Sequence, residues 1–301
     1  MDQIRHQEIL DAYGRLTAME QEVYDQMRAS VDEPFNPMTR FGANNFVHYN
    51  VPDSGKGTDE KIAVCGCYPI GSRFNHSCRP NCDFGIREDG TLVCRANRDI
   101  RPHEELTIAY SVSPLYLTTT ERQIYFQRGV DRHHFRTCLC DPCTLQPDDE
   151  SRKQSDARRL QLRQLSKLVG TESLDDVVAL SNKLKLPAPQ SVLDAETVQM
   201  WRNEKPEVLY TRIAELHEVE GIAASKLCIE SYYHAAQNMV QRARADGDDR
   251  LQCEDFKNFR AWTKRMREHI AILLPRMRED KPYKELIDLQ RALEASGGRF
   301  N

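Results

Sequence analysis

Arg73-Phe74-Asn75-His76-Ser77-Cys78-Arg79-Pro80-Asn81-Cys82 is the stretch whose reading decides the fold. It sets an Asn-His pair, a thiol and a Pro-Asn turn side by side, too polar for a core strand and too specific for a linker. Proline fixes φ and asparagine tolerates the left-handed region, so Pro80-Asn81 predicts a turn. Tyr68 to Ile70 and Phe74 predict a buried approach into it. Glu104-Glu105-Leu106-Thr107-Ile108-Ala109-Tyr110 reads as a strand ending on a tyrosine. Cys138-Leu139-Cys140-Asp141-Pro142-Cys143 reads as three metal ligands.

The whole chain bounds what these pieces can do. At 301 residues it has room for one large or two ordinary domains. Charged residues make up 29% and no apolar run reaches the roughly 18 to 20 residues that span a membrane. Met1-Asp2-Gln3-Ile4-Arg5-His6 lacks the basic-then-apolar order of a secretory signal, which predicts an intracellular protein. In that setting the 10 cysteines point to metal or buried thiols rather than disulfides. Residues 144–301 carry 26 basic and 26 acidic groups; the totals of 42 and 46 leave 16 against 20 in residues 1–143. No basic nucleic-acid footprint exists in such a chain.

Ile4 to Met27 has helical spacing, broken by the prolines between Asp32 and Pro37. Phe41 to Tyr49 predicts a short strand or a helix-to-strand connection, and Pro52 to Asp59 a flexible insert. No apolar strand runs into Gly55-Lys56-Gly57 and no helix follows it, which argues against a phosphate loop. Ile62–Ile70 predicts a strand with Cys65 and Cys67 on one face, read as buried thiols. Asp83–Ile86 and Thr91–Ala96 predict paired strands around an Asp89-Gly90 hairpin signal. Thr118–Val130 predicts a helix capped by its threonines. Beyond a polar boundary at Gln146–Gln154 the pattern is helical: 160–169, 174–184, 208–245, 251–274 and 283–293. These pairs predict antiparallel helical hairpins.

Three thiols in Cys-x-Cys-x2-Cys reach one ion, but a closed structural zinc site takes four ligands. On the residues alone the fourth is Cys78, Cys82, His133 or His134.

Taken in order, the Asn-His-Ser-Cys-x-Pro-Asn-Cys motif, the Glu-Glu-Leu-Thr-Ile-x-Tyr strand and the cysteine cluster resemble the SET-domain protein methyltransferases, nearest to the SMYD-like branch and its fungal relatives. The resemblance covers roughly residues 5–143; 150–301 match only in being helical. It implies an α+β fold: a core of short strands with knot-like topology and a post-SET zinc site over 1–143, then an all-α, TPR-like region over 150–301. It implies methyl transfer from S-adenosylmethionine to the ε-amine of a lysine in a protein substrate, histone or other, in the nucleus or cytoplasm. Tyr110 matches the catalytic tyrosine; Asn44, Phe74, Asn75, His76 and Phe135 match cofactor contacts. Cys78 joins Cys138, Cys140 and Cys143 on zinc. His76 is expected to hydrogen-bond rather than to act as a base.

Two departures from the family pattern stand out. No Gly-x-Gly strand precedes Ile4, and no MYND finger is present. The aromatic expected two residues before Cys138 is replaced by Arg136, with Phe135 one place earlier. In the family the Gly-x-Gly strands close over the cofactor's methionine end, so weak cofactor binding and low turnover are expected. The competing expectation is a non-catalytic, zinc-stabilised SET-derived scaffold that binds a partner protein. Neither reading calls for nucleic acid or a membrane.

Overall fold

The computed structural model describes residues 3–29, 36–50, 62–86, 90–128, 137–170, 195–222, 226–245 and 253–272. Contacts divide the chain into two units. One holds residues 1–75, 85–94 and 123–138; the other holds 76–84, 95–122 and 139–301.

In the first unit the expected helix over Ile4–Met27 is two helices, α1 (Gln3–Gly14) and α2 (Ala18–Asp25). The break has a local cause. Thr17 caps α2, accepting from the Glu20 N–H while the Glu20 carboxylate accepts from Thr17, a reciprocal capping box. Pro37 opens α3 (Pro37–Asn44) in the first helical turn, where its missing N–H costs nothing, behind an Asn36 cap. The chain then passes directly into β1 (Asn45–Asn50), the helix-to-strand alternative of the sequence reading. β1 pairs antiparallel with β2 (Ile62–Cys67), Asn45 opposite Cys67 and Asn50 opposite Ile62. The insert at 52–59 lies outside the described residues.

The approach to the motif is not buried as predicted. Ile70 is 80% exposed, and Tyr68 meets Phe46 edge-on at 5.7 Å. A 3-10 turn over Gly71–Arg73 leads instead into β3 (Asn75–His76). β4 (Cys82–Ile86) pairs with β5 (Leu92–Ala96), as the hairpin signal predicts; Gly90 has φ +81°, and 87–89 lie outside the described residues. The predicted Leu106–Tyr110 strand is shorter, β6 (Thr107–Ile108), and it pairs with β3. The sheets are thus three two-stranded pairs among the described residues.

α4 (Thr119–Gln127) begins at a second reciprocal cap between Thr118 and Glu121. After the one-turn α5 (Asp141–Thr144) comes α6 (Glu150–Val169), ten residues longer at its start than the leucine pattern suggests. Asp149 caps it, accepting from Ser151 and Arg152, and Gly170 ends it at φ +69°. α7 (Ala195–Arg202), α8 (Pro206–Val219), α9 (Lys226–Ala245) and α10 (Cys253–Ile272) follow. The helical run over Val208–Ala245 is therefore two helices. Helices expected over 174–184 and 283–293 lie outside the described residues.

α9 supplies the core of the helical part through Cys228, Ile229, Tyr232, Ala235, Ala236 and Met239, spaced three and four apart so that they share one face. α10 answers with Phe259, Trp262 and Met266, and α8 with Ala214. α6 packs on α8. These contacts establish a mixed helical and sheet architecture with a helical C-terminal part.

Gly221 follows the end of α8 at φ +76°, and a Cβ there would sit 2.9 Å from Arg79 Cγ. Gly221→Ala is expected to cost about 1–2 kcal/mol from the left-handed backbone alone, read as a lowered urea midpoint at unchanged slope. A variant as stable as the wild type would refute this.

Candidate functional site

The motif's geometry starts from β3. The Ser77 N–H donates to Ile108 O at 3.0 Å, extending the pairing with β6. Two residues beyond Ile108, the Tyr110 N–H donates to His76 Nδ1 at 3.1 Å. A backbone N–H is always the donor, so Nδ1 carries the lone pair and the proton sits on Nε2. Nε2 lies 3.2 Å from Cys78 Sγ, so the imidazole donates to that sulfur. The rings of His76 and Tyr110 are 5.4 Å apart. One half-buried histidine thus joins the tyrosine strand to the thiol of its own motif.

Cys78 meets Cys138, Cys140 and Cys143 with all four sulfurs within 4.8 Å of one another. Cys78 is fully buried. Its Sγ stands 3.7 Å from that of Cys143, far outside the roughly 2.05 Å of a disulfide. Tetrahedral zinc at roughly 2.3 Å from each sulfur separates thiolates by about 3.8 Å, so this spacing fits the ion. The Cys78 N–H also donates to Cys140 Sγ at 3.4 Å. Asp141-Pro142 turns the chain between the last two ligands, with the Cys143 N–H on Cys140 O.

Four thiolates on a divalent ion would leave two negative charges, and Arg122 stands beside the sulfurs. It is completely buried, with Nε 3.2 Å from Cys143 Sγ, Nη1 on Leu117 O and Nη2 on Thr119 Oγ1. Burial works against its charge, but the sulfurs of Cys78 and Cys143 outweigh it and raise its pKa.

The other side of Cys78 is held from α6. Arg159, 0% exposed, donates from Nη2 to Cys78 O at 2.9 Å and from Nη1 to Pro114 O and Leu115 O. Its Nε donates to Glu220 Oε2 at 3.0 Å. Glu220, also without solvent access, accepts further from Ser155 and Arg158. Burial and the nearby Arg122 lower the Arg159 pKa, though a guanidinium starts high enough to stay charged. Burial alone would raise Glu220, yet Arg159, Ser155 and Arg158 hold it below the usual carboxylate range.

Asn81 corrects the turn reading. Among the described residues the only non-glycine with positive φ is His103, so the left-handed region is not why asparagine is here. Its buried side chain clamps the approach to β6: Nδ2 donates to Glu105 O and Glu104 Oε1, and Oδ1 accepts the Thr107 N–H. Arg98, the Arg101 N–H and Asn81 together hold the Glu104 carboxyl at a pKa of about 2.

The remaining sequence-predicted residues are placed as follows. Asn44 is buried at the end of α3 with its amide Nδ2 spent on Arg28 O and Arg40 O. Phe74 is half-buried and Asn75 exposed. Phe135, like His133 and His134, lies outside the described residues. Cys82 is buried but stays out of the thiol cluster, and burial pushes its pKa up. Cys65 is exposed rather than buried. A cleft of about 750 Å³ in the first unit, lined by Ile9, Tyr13, Met27, Phe41 and Cys67 among others, contains none of the predicted site residues. Arg122, Arg159 and Glu220 were missed; each sits in a charged helical stretch that looks like an ordinary solvated face.

Residues 2–111 match the family model of the SET domain, in agreement with the resemblance drawn from the motifs. Over 84 residues the chain is 39% identical to human "Histone-lysine N-methyltransferase SMYD3", covering 28% of this chain and 18% of that protein. Over 99 residues it is 36% identical to "Histone-lysine N-methyltransferase set5" of Schizosaccharomyces pombe, covering 32% and 28%. A Dictyostelium discoideum "SET and MYND domain-containing protein" is 30% identical over 119 residues, covering 38% and 20%. The chain thus spans less than a third of the length of these relatives.

Removing Arg159 takes a buried guanidinium from Glu220 and leaves the carbonyls of Cys78, Pro114 and Leu115 without their donor. Arg159→Met is expected to lower unfolding free energy by about 3–5 kcal/mol in guanidinium titration, and a loss below about 1 would contradict the buried pair. Glu104 contributes a pH dependence. Its folded pKa of about 2 lies below the ordinary 4.5, so its contribution is complete above pH 4.5 and is lost as the pH falls through about 2. Wild type should therefore outlast Glu104→Gln in thermal melts at pH 6, and the gap should close on acidification; a gap independent of pH would refute it.

Proposed function

We propose that the chain works as an S-adenosylmethionine-dependent protein-lysine methyltransferase. The observation that carries this reading is the His76 bridge, which ties the Tyr110 backbone to Cys78 of the four-thiol cluster. The SET-domain match and the relatives' names, two of them histone-lysine N-methyltransferases, support it. In this reading residues 1–143 form the SET-type part and 150–301 a helical, TPR-like part. The substrate is a lysine in a histone or another protein, met in the nucleus or cytoplasm.

Bound S-adenosylmethionine would supply an electrophilic sulfonium methyl. The chain's residues have the task of placement, since direct displacement rewards in-line alignment. A free lysine has a pKa of about 10.4, so its ammonium must shed a proton before it can attack. Apolar, partly dry surroundings favour that loss. Tyr110 offers a hydroxyl to orient the amine and a ring face suited to the cationic product. His76 positions the Tyr110 backbone; its single lone pair is already used on a backbone N–H, which argues against a role as general base. Asn75, Phe74, Phe135 and the His76 backbone would hold the cofactor. Asn44 would contribute through its backbone or Oδ1, because Nδ2 is engaged. Cys78, Cys138, Cys140 and Cys143 would hold zinc in a structural role, leaving no metal in the chemical step.

That engaged Asn44 amide is what favours the second reading, a zinc-stabilised scaffold without turnover. Incorporation of labelled methyl into a histone mixture separates the two. Tyr110→Phe is expected to lower the rate ~10²-fold with the calorimetric affinity for S-adenosylmethionine unchanged. Equal rates in variant and wild type would remove Tyr110 from the chemistry. Wild type that neither binds the cofactor nor transfers methyl would establish the scaffold instead.

A further inference from the structure

Three helices of the C-terminal part bring a carboxylate, a thiol and an imidazole together, away from the four-thiol cluster. Glu218 near the end of α8, Cys228 in the first turn of α9 and His269 in the last turn of α10 each place a ligand atom within 4.8 Å of the others. Oxygen, sulfur and nitrogen donors of these types are those of zinc-class sites. Cys228 is fully buried and His269 is 8% exposed, so this is not a solvated polar face.

The surroundings orient each group. Glu218 Oε1 accepts from the Tyr232 hydroxyl at 2.9 Å and lies 3.0 Å from His269 Nε2, while Arg265 pairs with Oε2. The Tyr232 ring stacks on His269, with centroids 6.2 Å apart and planes 23° apart. Partners of this sort fix the direction of metal-ligating side chains. Cys228 Sγ lies 3.5 Å from Ala214 O.

The independent observation is at His269. Its Nδ1 is buried with no hydrogen-bond partner. With Nε2–H donating to Glu218, Nδ1 keeps a lone pair that no described protein group takes up. Leaving such a group unpaired in the interior is unfavourable. A cation bound at Nδ1 takes up that lone pair. Arg265 does not forbid one: its side chain is 54% exposed, so water screens its charge, and it holds only the far carboxylate oxygen.

We propose that Glu218, Cys228 and His269 bind a zinc-class divalent cation with three protein ligands and a fourth position open to water, pinning α8, α9 and α10 together. The Cys228 thiol gives up its proton to solvent on binding, and thiolate plus carboxylate balance the ion's two charges. The site does not depend on the methyltransferase reading or on the four-thiol cluster.

Zinc counted per chain by elemental analysis of the purified full chain tests this. Two ions are expected in the wild type, one in Cys78→Ser, and one in each of Cys228→Ala and His269→Gln. Alanine keeps position 228 small and apolar, and circular dichroism checks the fold of both variants. Folded Cys228→Ala and His269→Gln with the wild-type count would overturn the proposal. So would a wild-type count of one that Cys78→Ser abolishes, which needs neither α9 nor α10 variant to fold. Retention of one zinc by Cys78→Ser that then disappears in Cys78→Ser/His269→Gln would locate it at this cluster.

Discussion

A guanidinium cut off from water must find both its hydrogen bonds and its counter-charge inside the protein, and Arg159 finds them in places far apart in sequence. Its fork reaches the carbonyls of Cys78, Pro114 and Leu115, and its Nε meets Glu220 at the end of α8. An isolated buried charge is costly enough that the partners cannot drift away singly. The motif loop, the 3-10 turn over Ser113–Tyr116, α6 and α8 are therefore held by one electrostatic requirement. The helical part thereby fixes the backbone of the residue whose sulfur enters the thiol cluster.

The cluster imposes the complementary requirement. Thiolates on a divalent ion are over-charged, and the interior must supply donors rather than more carboxylates. Arg122, the Cys78 N–H and the His76 imidazole do so from three directions. Two of those donors have another duty. Arg122 also satisfies the Leu117 carbonyl beside the start of α4, and His76 holds the Tyr110 backbone. Local structure and site electrostatics are here the same set of hydrogen bonds.

This division explains what the sequence could and could not disclose. Caps were readable because Thr17-x-x-Glu20 and Thr118-x-x-Glu121 act within one turn; overlooking the first joined α1 to α2. The β4–β5 pairing follows from short-range alternation and a turn. The thiol cluster was legible as chemistry, three cysteines in search of a fourth, but the choice among Cys78, Cys82 and two histidines needed the family resemblance. Asn81 was assigned to the right turn for the wrong reason, since its amide, not its backbone freedom, is what the fold uses. Arg159 and Glu220 gave no local signal at all. Glu220 lies 61 residues beyond Arg159, and a charge destined for the interior is written with the same letters as one on the surface.

Cys78 is engaged through every polar atom it has. Its sulfur faces His76 and Cys143, its N–H meets Cys140, and its carbonyl receives Arg159. Residues that share a partner in this way do not contribute independent increments of free energy. A change at His76 alters the worth of Arg122, and a change at Glu220 alters what replacements Cys78 would tolerate. In evolutionary terms this neighbourhood is epistatic: its members can diverge only in concert, through intermediates in which a second site has already adjusted.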